Sequence, residues 1–223
     1  MSGPWASQSR GVMVGTWANR PTDPPPYFQY LATDVGRSGM LFYWDVTRWR
    51  VWYPSVLGEI GTIVTGVAQT ANQYIGSGVN RLGPFPPGVL QVGDVLVYQF
   101  SVGKTGGTDA FGTATNILLG QNGDVTDAAI ATSNISGTMV AARRSGPGYE
   151  KWFRVESATT IRPIGSLNMD PTFSGIFTNN IPPETTVGIV NVSTTPWRIG
   201  VSTTMGGATD PPQLTYQRLT LMP

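Results

Sequence analysis

Met40-Leu41-Phe42-Tyr43-Trp44-Asp45-Val46-Thr47-Arg48-Trp49-Arg50-Val51-Trp52-Tyr53 is two apolar, aromatic-rich runs on either side of a polar turn. The runs Met40 to Trp44 and Trp49 to Tyr53, with Asp45 to Arg48 between them, read as a β-hairpin with a loop of about four residues. Both faces of this hairpin are apolar. Residues 27–55 hold nine aromatics: Tyr27, Phe28, Tyr30, Phe42, Tyr43, Trp44, Trp49, Trp52 and Tyr53. A segment this short cannot bury them all alone, and an isolated hairpin is marginal in water. A dense apolar surface of this kind marks a partner face, and self-association supplies one.

Upstream, residues 1–26 mix Gly, Ser and Pro with Trp5 and Trp17 and end in Asp23-Pro24-Pro25-Pro26. Proline fixes φ and removes backbone donors, so this stretch reads as an extended attachment arm. Downstream, residues 56–83 allow two readings. Val56, Ile60, Val64, Val67, Ala71 and Ile75 have helical spacing, but Gly58, Gly61 and Gly66 oppose a helix, and the β-branched content favours strand. From Gly88 onward, alternation is clear at Leu96, Tyr98 and Phe100, at Phe153 and Val155, and at Trp197, Ile199 and Val201, which reads as half-buried strands. Turn clusters at 103–107, 120–123, 145–148, 182–183 and 206–212 separate them.

The expected fold is therefore all-β. It comprises the arm (1–26), an aromatic β-hairpin module (27–55) and an antiparallel jelly-roll or β-sandwich domain (56–223). Composition agrees: 28 Gly and 18 Pro among 223 residues weigh against helices, where each costs roughly 1 and 3 kcal/mol per interior position. The 40% hydrophobic content is enough for a core.

Composition also excludes functions. With no Cys and no His, zinc sites of the usual ligand sets, Ser-His-Asp triads and thiol nucleophiles are ruled out. A net charge of +1, with Lys104 and Lys151 the only lysines, gives no basic patch for nucleic acid. No apolar run is long enough to cross a bilayer as a helix, and the opening Met1-Ser2-Gly3-Pro4-Trp5 lacks a secretory pattern, so synthesis in a cytoplasm without membrane insertion is expected.

Gly103-Lys104-Thr105 is not a phosphate loop, because the earlier glycine that the motif requires is Tyr98; a hairpin turn is expected there. A glycosidase needs two facing carboxylates. The candidates Asp94, Asp109, Asp124, Asp127, Glu150, Glu156 and Asp170 mostly sit beside Gly or Pro, where Asp caps turns. No enzyme activity, cofactor or metal site is expected. Arg143, Arg144, Tyr149 and Lys151, with Trp152, form a candidate basic-aromatic platform for a sugar or anion.

The segments Trp17-Ala18-Asn19-Arg20-Pro21 through Tyr27-Phe28, Tyr30-Leu31-Ala32-Thr33-Asp34-Val35-Gly36 and Leu41-Phe42-Tyr43-Trp44-Asp45-Val46-Thr47-Arg48-Trp49 resemble a short module recurrent in tailed-bacteriophage fibre proteins. Its pattern runs RP, then YFATD, then LYxxDGTxW. This copy has Val46 where the turn glycine usually sits, which implies a different turn type. Pro86-Pro87-Gly88-Val89-Leu90-Gln91-Val92-Gly93-Asp94-Val95-Leu96, Thr115-Asn116-Ile117-Leu118-Leu119-Gly120 and the closing runs 197–201 and 214–221 look like the jelly-roll head domain of such fibres.

The resemblance implies a short homotrimeric fibre on the virion surface, attached to other virion proteins through its N-terminal region. Its jelly roll would contact host glycan or protein. Tyr27, Phe28, Phe42, Trp44, Trp49 and Trp52 are the implied trimer-assembly candidates. A tail fibre is the leading expectation, a head fibre or capsid decoration protein the alternative, and a fibre-borne glycan depolymerase the third.

Overall fold

The computed structural model describes residues 11–75, 82–105, 111–135, 148–168, 177–179 and 185–223. An N-terminal sheet is formed by β1 (Met13–Gly15), β2 (Gln29–Ala32), β3 (Met40–Trp44) and β4 (Trp49–Val51), in that order. β1 runs parallel to β2, and the other pairs are antiparallel. The expected hairpin is β3–β4, with Trp44 opposite Trp49 and Phe42 opposite Val51.

The hairpin turn holds a surprise at Val46, whose φ is 84°. The valine occupies the left-handed region that a glycine enters without strain, so its presence has not brought a turn better suited to a β-branched residue. Asp45 makes this possible. Its Oδ1 accepts from the Thr47 N–H (3.0 Å), the Thr47 hydroxyl (2.7 Å) and the Arg48 N–H (2.8 Å), fixing the backbone around the strained residue.

The sandwich follows in chain order as β5 (Ser55–Ile60), β6 (Val64–Thr65), β7 (Gln73–Ile75), β8 (Leu82–Phe85), β9 (Val95–Lys104) and β10 (Phe111–Gly120). It continues with β11 (Ala128–Ile135), β12 (Gly148–Ser157), β13 (Thr160–Asn168), β14 (Phe177–Asn179), β15 (Val187–Gly188), β16 (Trp197–Met205) and β17 (Pro212–Met222). One sheet has the order β15-β13-β12-β9-β17-β5, with β6 also on β17. The other runs β14-β11-β10-β16-β7, with β8 also on β16. The strand reading of residues 56–83 holds in β5 to β8, although 76–81 lie outside the described residues. Among the described residues every pairing in these two sheets is antiparallel, and the central partners β9–β17 and β10–β16 are far apart in sequence, as a jelly-roll-like sandwich requires.

The alternation read from sequence gives the core. Leu96, Tyr98 and Phe100 of β9, Phe153 and Val155 of β12, and Trp197, Ile199 and Val201 of β16 are all buried. β16 departs from the half-buried expectation, because Gly200 and Ser202 on its second face are buried too. Tyr74 of the neighbouring β7 lies over that face, so close that a Cβ on Gly200 would fall 1.6 Å from its hydroxyl.

The arm and the module do not stand apart from the sandwich. From residue 13 the arm contributes a sheet strand, and Trp17 is 1% exposed. Its ring packs on Phe42 at 4.5 Å, and its Nε1 donates to the Pro87 carbonyl of the sandwich at 2.9 Å. The hydrophobic cluster that includes Phe28, Tyr30, Phe42 and Trp49 continues without a break into Leu90, Phe85 and Trp197. Residues 1–10 and the expected turns near 106–107, 145–147 and 182–183 lie outside the described residues.

Val46→Gly is expected to stabilise the protein by about 1 kcal/mol, since relief of left-handed strain exceeds the added chain entropy. A urea midpoint shifted upward at constant slope is the expected readout; a lower midpoint would show that the valine is unstrained.

Candidate functional site

Where the module meets the sandwich, the chain leaves an open cleft of about 510 Å³. Ala18, Arg20, Pro21 and Thr22 form one wall, Trp44, Thr47, Arg48 and Trp49 a second, and Gly88, Gln91 and Ser193 of the sandwich the third.

Local sequence places each wall. Trp17–Asn19 is a single 3-10 turn after β1, and the Trp17 N–H is held by Asp34 Oδ1 at 2.6 Å. Arg20 precedes Pro21, which disfavours the helical region; its ψ of 144° ends the turn. The Arg20 side chain folds back so that Cζ sits 4.0 Å from the centre of the Trp17 ring, and Nη1 donates to the Trp17 carbonyl at 2.7 Å. Pro21 is buried, and its carbonyl accepts from Trp49 Nε1 at 3.3 Å. The Trp49 carbonyl in turn accepts from Gln91 Nε2 at 3.1 Å, which ties the hairpin to the sandwich.

Two glycines of the sandwich make room for the two arginines. Gly88 has φ 76°, and a Cβ there would lie 3.3 Å from Arg20 Nη2. Gly93 has φ 88°, and a Cβ there would lie 3.2 Å from Arg48 Nη1. Only residues without a side chain satisfy both the backbone turn and the close approach.

The arginines differ in compensation. Arg48 donates to the Val92 carbonyl and lies 3.4 Å from Asp94 Oδ1 and 3.9 Å from Asp45 Oδ2, while Arg50 lies 3.7 Å from the same Asp45 oxygen. Two cations therefore face two carboxylates. Asp45 is partly desolvated, yet hydrogen bonds from Thr47 and Arg48 and the Arg48 charge hold its carboxyl below the usual value. At Asp94 burial wins: it pushes the carboxyl up to about 6 against the Gln91 N–H and the charges of Arg48 and Arg50. Arg20 has no ion pair among the described residues. Burial lowers its pKa, but a guanidinium stays charged throughout the physiological range.

The six aromatic assembly candidates separate into groups. Phe28, Phe42 and Trp49 are buried inside a single chain, in a core that Trp17 and the sandwich complete. Trp44 is half-buried and lines the cleft. Tyr27 and Trp52 are exposed, at 69% and 45%.

Of the basic-aromatic platform, the structure describes Tyr149, Lys151 and Trp152. Arg143 and Arg144 lie outside the described residues. Tyr149 and Lys151 sit on β12 rather than in a loop, and both are buried. Tyr149 stacks on Phe100 at 5.0 Å, and burial lowers the Lys151 ammonium to about 8. They share the inward-facing register of Phe153 and Val155, a consequence of strand alternation reaching back to residue 149. Lys104 is likewise a strand residue, buried against Asp210 at 3.6 Å.

The carboxylates are spread out. Asp124 and Asp127 accept backbone N–H groups in one turn, Glu150 accepts from Gln99 and Trp152, and Glu156 pairs with Arg162 at 2.8 Å. Asp109 and Asp170 lie outside the described residues. Among the described residues no group of three or more acidic side chains is gathered in a way that could hold a metal ion.

The sequence reading missed the cleft. The spacing of Trp17 and Arg20 in one turn was a local signal, but Gln91 and Ser193 are brought in from about 70 and 170 residues away and carry none.

No family model and no curated protein matches this chain. Among solved structures it is similar to the carbohydrate recognition domain of Emp46p in its potassium-bound form, at 8% identity and a TM-score of 0.32, over 71% of this chain and 88% of that one. It is also similar to SO2946 of Shewanella oneidensis MR-1, a protein of unknown function, at 10% identity and a TM-score of 0.33, over 76% and 75%. Neither likeness assigns a ligand or an activity here.

Asp94 makes the module–sandwich junction pH-sensitive. Its folded-state value of about 6 exceeds the ordinary 3.8, so between those values the folded chain holds more proton than the unfolded one. Stability therefore falls as pH rises through that window, by roughly 2–3 kcal/mol from this group. Denaturant titrations from pH 3.5 to 7 are expected to show Asp94→Asn losing this component relative to the wild type. Parallel curves for the two proteins would contradict the assignment.

Proposed function

We propose that the chain is a non-catalytic structural and adhesive protein of a bacteriophage surface: a short homotrimeric fibre, assembled through its N-terminal sheet and displaying its sandwich to the host. The observation that carries this reading is the outer face of that sheet. Strand register places Val14, Leu31 and Leu41 in one row across β1, β2 and β3. The next row is Gln29, Tyr43 and Arg50, and the Trp52 ring packs tilted against Tyr43 with centroids 4.3 Å apart. Val14 is 59% exposed and Trp52 45%, with Tyr27 and Tyr53 exposed nearby in sequence.

The row of Val14, Leu31 and Leu41 and the Tyr43–Trp52 pair give this face an apolar strip that favours a covering layer. The inner face of this sheet already has one in Trp17 and the sandwich, so the outer face is left for a second and third copy. The aromatic pattern shared with phage fibres supports a threefold arrangement, with the N-terminal region bound to other virion proteins. A tail position fits host contact. A head fibre or capsid decoration protein would use the same assembly face, and labelling of intact particles separates the two.

The assembly claim is tested with the double variant Tyr43→Ser/Trp52→Ser, with Trp44→Ser as the comparison. Light scattering is expected to give trimer mass for the wild type and for Trp44→Ser, and monomer mass for the double variant. A double variant that keeps trimer mass, or a wild type that is monomeric, would sink the reading.

A further inference from the structure

We propose that the cleft between the aromatic module and the sandwich binds a carboxylated saccharide, its carboxylate on the free edge of Arg20 and a sugar ring against Trp44. The proposal deepens the adhesive reading and rests on it for the source of the ligand, a host surface polysaccharide.

Arg20 carries the argument. A guanidinium has five N–H donors in a planar fork. Here one hydrogen bond, to the Trp17 carbonyl, and the stacking on Trp17 fix the group in place. The remaining donors have no partner among the described residues, and no carboxylate neutralises the charge. A cation so held lacks a bidentate acceptor, and a carboxylate has the matching geometry. Arg48 on the opposite wall is already balanced by Asp45 and Asp94, so the cleft holds a single surplus positive charge.

The remaining surface suits a sugar. Thr22 and Ser193 are hydroxyl-bearing residues in the lining and Gln91 adds an amide whose Nε2 is held by the Trp49 carbonyl, a set that matches the ring hydroxyls of a saccharide better than a simple inorganic anion. Trp44 gives a half-buried aromatic surface of the kind that packs against the C–H face of a pyranose. A volume of about 510 Å³ accommodates a short oligosaccharide. The walls are cross-tied by the Trp49–Pro21 and Trp49–Gln91 hydrogen bonds, so the site is formed before a ligand arrives.

The test is calorimetric titration of the 223-residue chain with galacturonate, glucuronate and sialyl oligosaccharides, with maltotriose and inorganic phosphate as comparisons. At least one acidic oligosaccharide is expected to bind saturably, one per chain, and at least tenfold more tightly than maltotriose or phosphate. Arg20→Gln is expected to weaken that binding at least tenfold, and Ser193→Trp, which fills the cleft from the sandwich side, to abolish it. Trp152→Ser, at an exposed tryptophan on β12, should leave it unchanged.

Absence of saturable binding by any acidic oligosaccharide, phosphate binding as tight as the best saccharide, or full affinity in folded Arg20→Gln would each overturn the proposal. The adhesive reading fails separately. If the wild type binds an acidic saccharide but does not compete with particles for host adsorption, the cleft assignment stands and the receptor role falls. If it competes and Ser193→Trp competes equally well, the receptor role stands and the cleft assignment falls.

Discussion

The burial of Trp17 governs the rest of this structure. A tryptophan side chain removes on the order of 150–250 Å² from water, a contribution of about 4–6 kcal/mol before its ordering cost. Here it is spent at the junction of three pieces of chain. The ring closes the core of the N-terminal sheet against Phe42, the indole nitrogen binds the sandwich at Pro87, and the ring face carries Arg20. The stretch that composition presents as an extended attachment arm thereby acts as a structural wedge from residue 13 onward.

Two consequences follow for surfaces. Because the inner face of the N-terminal sheet is satisfied within one chain, Phe28, Phe42 and Trp49 stabilise the monomer fold, and the burden of assembly passes to the outer rows around Leu41 and Tyr43. Because the wedge meets the sandwich only along part of its length, a cleft remains at the seam, walled by side chains from three distant stretches. The charges there are paired except for Arg20. Asp94, 8% exposed beside them, is buried enough that desolvation outweighs two nearby arginines and raises its carboxyl pKa.

The all-β class, the β3–β4 hairpin and the core strands were legible because alternation with a period of two is a local property, visible at Leu96, Tyr98 and Phe100 or at Trp197, Ile199 and Val201. The same rule extended by a few positions would have placed Tyr149 and Lys151 inside β12, where charge and aromatic content suggested a loop. What sequence could not show is which elements meet. Trp17 and Pro87 are 70 residues apart and Gly88 and Ser193 more than 100, and nothing in either neighbourhood specifies the other. Val46 is a third kind of miss, where the side chain argues against a backbone conformation that the Asp45 hydrogen bonds impose.

If the wedge unites the aromatic module and the sandwich, the two cannot melt separately. Differential scanning calorimetry of the intact protein addresses this most directly. A single endotherm is predicted, with calorimetric and van't Hoff enthalpies in agreement per cooperative unit. Two resolved endotherms, with tryptophan fluorescence following the first and far-ultraviolet circular dichroism the second, would contradict the account.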